Sequence, residues 1–132
     1  MNGSIDALFR IPDGDDHRYV VVDYKTNRLH VPGASHALDA YRPDNLVPAM
    51  AHHRYPLQAL IYAVAVHRYL RWRLGRTYSP DRHLGGVAYL FIRGMIGPET
   101  PVVDGVPHGV FSWRPPAATI IALDELFAGA HA

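Results

Sequence analysis

Three consecutive residues, Asp23-Tyr24-Lys25, offer the strongest chemistry in this sequence. They close a β-rich run, and the two-residue period of a strand points Asp23 and Lys25 to one face, about 6–7 Å apart along the chain. A carboxylate and an ammonium so placed can converge on one bound group. Lys25 is the only Lys, the other 12 of the 13 basic residues being Arg; Lys is the compact, deprotonatable cation that Arg is not. Asp6 lies on the strand predicted to pair with this one, and a cross-strand arrangement brings a second carboxylate to the same end of the sheet. Two carboxylates flanking a Lys suit Mg2+, a hard ion that takes oxygen ligands, keeps several waters and admits phosphate oxygens to its shell. The competing reading has Asp23 and Lys25 solvating a strand end and Asp6 paired with Arg10. Gln58, the only Gln, and Tyr62 are four residues apart on a predicted helix and share a face, with Tyr69 near it. An amide and a phenol there can orient a metal-bound water or hold a phosphate, or else simply pack.

These residues need elements to hold them. Residues 4–10 roughly alternate, Pro12-Asp13-Gly14-Asp15-Asp16 supplies turn chemistry, and 19–24 is β-rich, which together predict a β-hairpin. Val20-Val21-Val22, apolar on both faces, belongs inside a covered sheet. From 25 to about 45 the chain turns to Gly, Pro, His and Asp with little periodicity, a connection that is either mobile or ends in a short helix. Leu57, Leu60, Ile61 and Val64 repeat at helical spacing behind Pro56, predicting a helix over 56–74 that Gly75 ends. Its second half carries His67, Arg68, Arg71 and Arg73, with Arg76 beyond, a basic end that suits the negative helix terminus and could also meet phosphates. Residues 86–93 read as a buried strand, 98–107 as a loop, 110–113 as a short strand, and 115–127 as a helix. The order β-β-α-β-(β)-α predicts an α/β fold with a mixed central sheet flanked by helices.

Composition removes several function classes. At 132 residues and 14.7 kDa the chain is one domain or part of one, and 48% hydrophobic content supports a core. Its longest apolar run, near 60–66, is far short of a membrane span, and the N-terminus lacks a signal-peptide pattern, so no membrane partner is expected. The absence of Cys excludes thiolate metal sites and Cys nucleophiles and fits a cytoplasmic location. The net charge, 13 − 12 = +1, announces no nucleic-acid partner by itself, leaving that case to local Arg clusters. No G-x-S-x-G pattern supports a Ser-nucleophile enzyme.

Taken in order, Gly3-Ser4-Ile5-Asp6, Asp23-Tyr24-Lys25 and Gln58-x-x-x-Tyr62 resemble the motifs of the RecB branch of the PD-(D/E)XK nucleases. The segments around His53-Arg54-Tyr55-Pro56, His67-Arg68-Tyr69-Leu70-Arg71, Val87-Ala88-Tyr89-Leu90-Phe91, Trp113-Arg114-Pro115 and Asp124-Glu125-Leu126-Phe127 also resemble that branch, and 28–46 is least alike. The resemblance implies a restriction-endonuclease-like fold with Asp6, Asp23 and the backbone carbonyl of Tyr24 as ligands of Mg2+, or of Mn2+ as a substitute. It gives Lys25 the role of stabilising or activating the attacking water, and places Gln58 and Tyr62 near the substrate backbone. It implies hydrolysis of single-stranded or unwound duplex DNA in double-strand-break repair and recombination, with other helicase–nuclease subunits and RecA as partners. In this family a helix upstream of the first motif supplies a His ligand. Here Met1-Asn2 directly precedes Gly3, and no G-x-x-x-x-G-K loop is present. Residues 1–132 are therefore expected to form a partial, N-terminally truncated nuclease domain, a poor nuclease by itself and prone to self-association. His17, His30, His52 and His53 are candidates for a substitute ligand, each more readily read as a surface His. The alternative function is a catalytically inactive module that binds DNA or RecA.

Overall fold

The computed structural model describes residues 5–30 and 37–130. Gly3 and Ser4 of the first motif, and residues 31–36 of the connection after Lys25, lie outside the described residues. Strands β1 (Ala7–Asp13) and β2 (Asp16–Lys25) form the expected hairpin. Gly14, at φ 62°, lets the chain reverse in two residues, so pairing continues to Asp13↔Asp16 and absorbs most of the predicted turn. Strand β3 (Leu84–Phe91) lies parallel to β2. A small hairpin of β4 (Val102–Val103) and β5 (Val106–Pro107) follows, and β6 (Val110–Trp113) pairs antiparallel with β3, giving the order β1-β2-β3-β6. The mixed α/β sheet is thus the one predicted, with β2 inside it.

Four helices accompany the sheet: α1 (Pro43–His52), α2 (Tyr55–Leu74), the single turn α3 (Pro80–His83) and α4 (Ala117–Ala130). The predicted long helix begins one residue earlier than expected, and Gly75, at φ 56°, ends it. Helix α1 occupies part of the segment read as a connection. Pro43 and Pro48 mask its periodicity, and only Leu46 and Met50, four residues apart, are buried from it. The 98–107 loop contains the β4–β5 hairpin, whose turn places Asp104 and Gly105 at positive φ.

One face of the sheet carries the core. Val21 of β2 and Val87, Tyr89 and Phe91 of β3 pack with Ala59, Ala63, Val66 and Leu70 of α2, Leu46 and Met50 of α1, and Ile120 of α4. On β3 these buried residues alternate with half-buried Ala88 and Leu90, so the strand read as buried throughout is fully covered on one side only. Gly86, at φ 95°, permits the close approach of β3 to β6, since a Cβ there would strike the Trp113 carbonyl.

The basic half of α2 meets α4 through Asp124, which is 5% exposed. Its carboxylate accepts a short hydrogen bond from Arg68 Nε and another from Arg71 at 3.1 Å. His67 Nε2 lies 3.7 Å away, and His67 Nδ1 is 2.7 Å from the Tyr78 hydroxyl. Burial pushes the His67 pKa down and raises that of Tyr78 to about 12, so a neutral imidazole accepts a hydrogen bond from the Tyr78 O–H and turns its own N–H toward Asp124. Two of the arginines read as possible phosphate ligands are therefore tied to α4. The Arg68 hydrogen bond, the largest influence, holds Asp124 below the usual carboxylate range. Its contribution to stability is full above the ordinary carboxylate pKa and lost as pH falls through the depressed value. Asp124→Asn should destabilise the chain by about 1–2 kcal/mol at pH 7 in urea denaturation, the arginines being too exposed for a larger loss. The difference from wild type should close below about pH 4.

Candidate functional site

The β1–β2 register pairs Ala7 with Val22, so one step further Asp6 stands opposite Asp23 on the same sheet face. An Asp6 carboxylate oxygen accepts the Tyr24 backbone N–H at 3.0 Å, closing the hairpin's open end in place of a further strand residue. The alternative pairing of Asp6 with Arg10 is not formed; Arg10 meets His17 instead. A hydrogen bond between the two carboxyls is the largest influence on Asp6 and, with the Tyr24 N–H, keeps it below the usual range. Asp23 moves the opposite way: desolvation comes first, then the Asp6 contact, and together they outweigh the attraction of Lys25. Of the two acids, Asp23 is therefore the one that takes up a proton more readily.

Lys25 Nζ lies 2.9 Å from Asp23 Oδ2, but the contact is not aligned as a hydrogen bond. That oxygen is buried and lacks a hydrogen-bond partner, alone in this among the side-chain oxygens and nitrogens of the described residues. Asp23 and Lys25 do share a face, as the strand period predicts, and that face is covered rather than solvated. The ammonium also lies 3.5 Å from Gln58 Oε1, 4.1 Å from the centre of the Tyr55 ring and 5.4 Å from that of Tyr89. Gln58 Oε1 accepts a second hydrogen bond, at 3.1 Å, from the Tyr89 hydroxyl. Tyr62 is buried close by; desolvation and then the charges of Asp23 and Asp6 raise its pKa, which keeps the phenol protonated.

Asp6, Asp23, Tyr24, Lys25, Gln58 and Tyr62 are thus brought to one end of the sheet, beneath the first turns of α2. Tyr69 is not, being 45% exposed near the other end of that helix. Tyr55 and Tyr89 are the site residues that sequence reasoning missed. Tyr89 faces Asp23 only through the parallel β2–β3 register, Asp23↔Tyr89, which no local pattern announces. Tyr55, just before Pro56 at the start of α2, carried the one available signal.

For a cation the residues present offer two adjacent carboxylates, one with a buried oxygen met only by Lys25 among the described residues, and the carbonyl of Tyr24, which faces the Asp6 side because a strand residue's N–H and C=O point together. Hard oxygen donors of this kind fit Mg2+ with water completing its shell. No cluster of three or more His, Cys, Asp or Glu suited to a metal occurs among the described residues. His17 sits at the hairpin's turn end, and His30 and His52 line a separate cavity with His53. Only His53 reaches toward the site, by stacking on Tyr55.

Comparison with known proteins adds relatives to this geometry. The chain is 52% identical over 126 residues to the RecBCD enzyme subunit RecB of Mycolicibacterium smegmatis, and 53% identical over 126 residues to that of Mycobacterium tuberculosis. In each case 96% of the chain and 11% of the relative are covered. The Escherichia coli subunit is 40% identical over 129 residues, 98% of the chain and 10% of the relative. The chain therefore spans about one-tenth of the length of the curated relatives it matches. No family model matches it.

The raised pKa of Asp23 carries a sign that can be tested. A carboxyl raised by folding contributes fully below its ordinary pKa, and that contribution is lost as pH rises through the folded value. Asp23→Asn should therefore raise the melting temperature of the metal-free chain at pH 7, and the gain should vanish below about pH 4, where Asp23 is protonated in the folded and the unfolded chain alike.

Proposed function

Because the chain belongs to the RecB family, spanning about one-tenth of such a subunit, we propose that it carries a site for Mg2+-dependent hydrolysis of DNA phosphodiester bonds. The observation that carries this reading is the pair of carboxylates Asp6 and Asp23 set against a single ammonium, which is the one partner of the buried Asp23 oxygen among the described residues. Two acids and one Lys leave negative charge for a further cation to neutralise. Asp6, Asp23 and the Tyr24 carbonyl would hold the ion, which when bound polarises the phosphate and lowers the pKa of its water.

The protein's own groups account for the rest. Lys25, fixed between Asp23, Gln58 and two tyrosine faces, presents a compact positive charge where negative charge develops as water adds to phosphorus and the ester oxygen departs with a proton. The oxygen of Gln58 is engaged by Lys25 and Tyr89, so its amide nitrogen, without a partner among the described residues, is left to donate to a phosphate oxygen. Tyr62 stands beside the carboxylates as a protonated phenol near the same backbone. By family, the setting is a helicase–nuclease acting in double-strand-break repair and recombination, with RecA as a further partner. The absence of a three-ligand cluster among the described residues favours a second reading, a module that binds DNA or RecA without cutting. Exposed Phe9 and Ile11 on β1, an edge strand, support self-association.

Titration of Mg2+ or Mn2+ into the chain should show binding that weakens in Asp23→Asn; equal binding would remove Asp23 as a ligand. On single-stranded DNA with Mg2+, Lys25→Ala should lower the cleavage rate by about 10²–10³, the usual loss for one preorganised stabiliser. Lys25→Arg should not restore it, since a planar fork cannot occupy the space of an ammonium between two rings. DNA binding without cleavage in the parent chain would select the interaction module.

A further inference from the structure

Helix α2 reaches well past the carboxylate site, and its far end has no role in that chemistry. At about 100° per residue, Gln58, Ala65, Tyr69 and Trp72 fall within roughly 60° of arc on one flank, over a rise of about 21 Å. Gln58 belongs to the site; Ala65 is exposed and small; Tyr69 and Trp72 are 45% and 76% exposed. The two large rings lie 6.2 Å apart at 50° to one another. Such open aromatic area is unusual on a solvated helix, and here it is framed by cations. Helix α2 contains no acidic residue. Arg68 and Arg71 are taken up by Asp124, whereas Arg73 and Arg76, both exposed, have neither hydrogen bond nor ion pair among the described residues.

We propose that this flank of α2 is a track for single-stranded polynucleotide, with bases stacking on Trp72 and Tyr69 and phosphates meeting Arg73 and Arg76, leading the strand toward Gln58 and the carboxylate pair. Unpaired bases offer π-faces to exposed aromatic rings without regard to sequence, while free guanidinium groups attract the backbone. A duplex conceals its base faces and matches the cations alone. The occupant is therefore a single strand, and the track deepens the hydrolytic reading on which its direction rests.

The test uses the full chain in EDTA, so that binding is read without cleavage, and an oligo(dT) probe at low salt. Stacking should quench tryptophan emission, and a duplex of the same length should quench it far less. Trp72→Ala should abolish the quench, leaving only Trp113, and weaken binding roughly ten-fold or more by anisotropy of a labelled strand. Trp72→Phe should restore most of the affinity. Arg73→Ala with Arg76→Ala should flatten the slope of log affinity against log salt by about 1.4, or 0.7 for each lost contact. No quench with any oligonucleotide, or an unchanged one in Trp72→Ala, would overturn the proposal and leave the face to a protein partner. Quenching by a chain that binds neither Mg2+ nor Mn2+ in titration would instead reject the hydrolytic reading and keep the track. Cleavage with no role for Trp72 would do the reverse.

Discussion

The pairing of Asp6 with Asp23 across the open end of the β1–β2 hairpin is the constraint on which the site depends. Antiparallel register leaves the two carboxyls no freedom to separate: they project from one face of adjacent strands, and the Tyr24 N–H pins one of them. Burial makes a negative charge on Asp23 costly beside that of exposed Asp6, and the opposed pKa shifts of the two acids express that conflict. Lys25 relieves part of it. The remainder falls on the buried Asp23 oxygen, whose one partner among the described residues is that ammonium.

Around this conflict the chain places groups that hold the ammonium without neutralising it. Gln58 accepts from it, and Tyr55 and Tyr89, stacked at 5.4 Å, lie close to it. None of the three brings a further negative charge, so the carboxylates remain uncompensated by the protein. The Tyr89 hydroxyl bridges the Tyr55 carbonyl and Gln58, which ties the start of α2 to the middle of the sheet. A small rotation of α2 would misplace all of these contacts together, and α2 is held against the sheet by its buried Ala59, Ala63, Val66 and Leu70. Packing in the core therefore sets the geometry of the site.

The same helix is anchored at its other half by Asp124, so one element carries the site near its start and the α4 clasp near its end. This explains why its arginines are not equivalent: those facing α4 are consumed by structure, and those beyond it remain available to solvent.

Much of this could be read without coordinates. The rough alternation of residues 4–10, the β-rich run of 19–24 and the Gly14 turn determine the hairpin, the period-two face of β2 puts Asp23 and Lys25 together, and Pro56 and Gly75 bracket the long helix within a residue. These are local properties, written in patterns of a few residues that backbone geometry must obey. Helix α1 was legible only as one of two alternatives for the end of the connection, because two prolines break its pattern while only Leu46 and Met50 are needed to dock it. What tertiary structure alone decided is long-range. Whether Asp23 is solvated or buried, whether Gln58 reaches Lys25, that Tyr89 stands beside Asp23, and that Arg68 and Arg71 serve Asp124 rather than solvent all follow from contacts across 31 to 66 residues of chain. Residue type states what a side chain can do; its partners, and hence its charge and its reach, are set by the packing of elements that the sequence does not place beside one another.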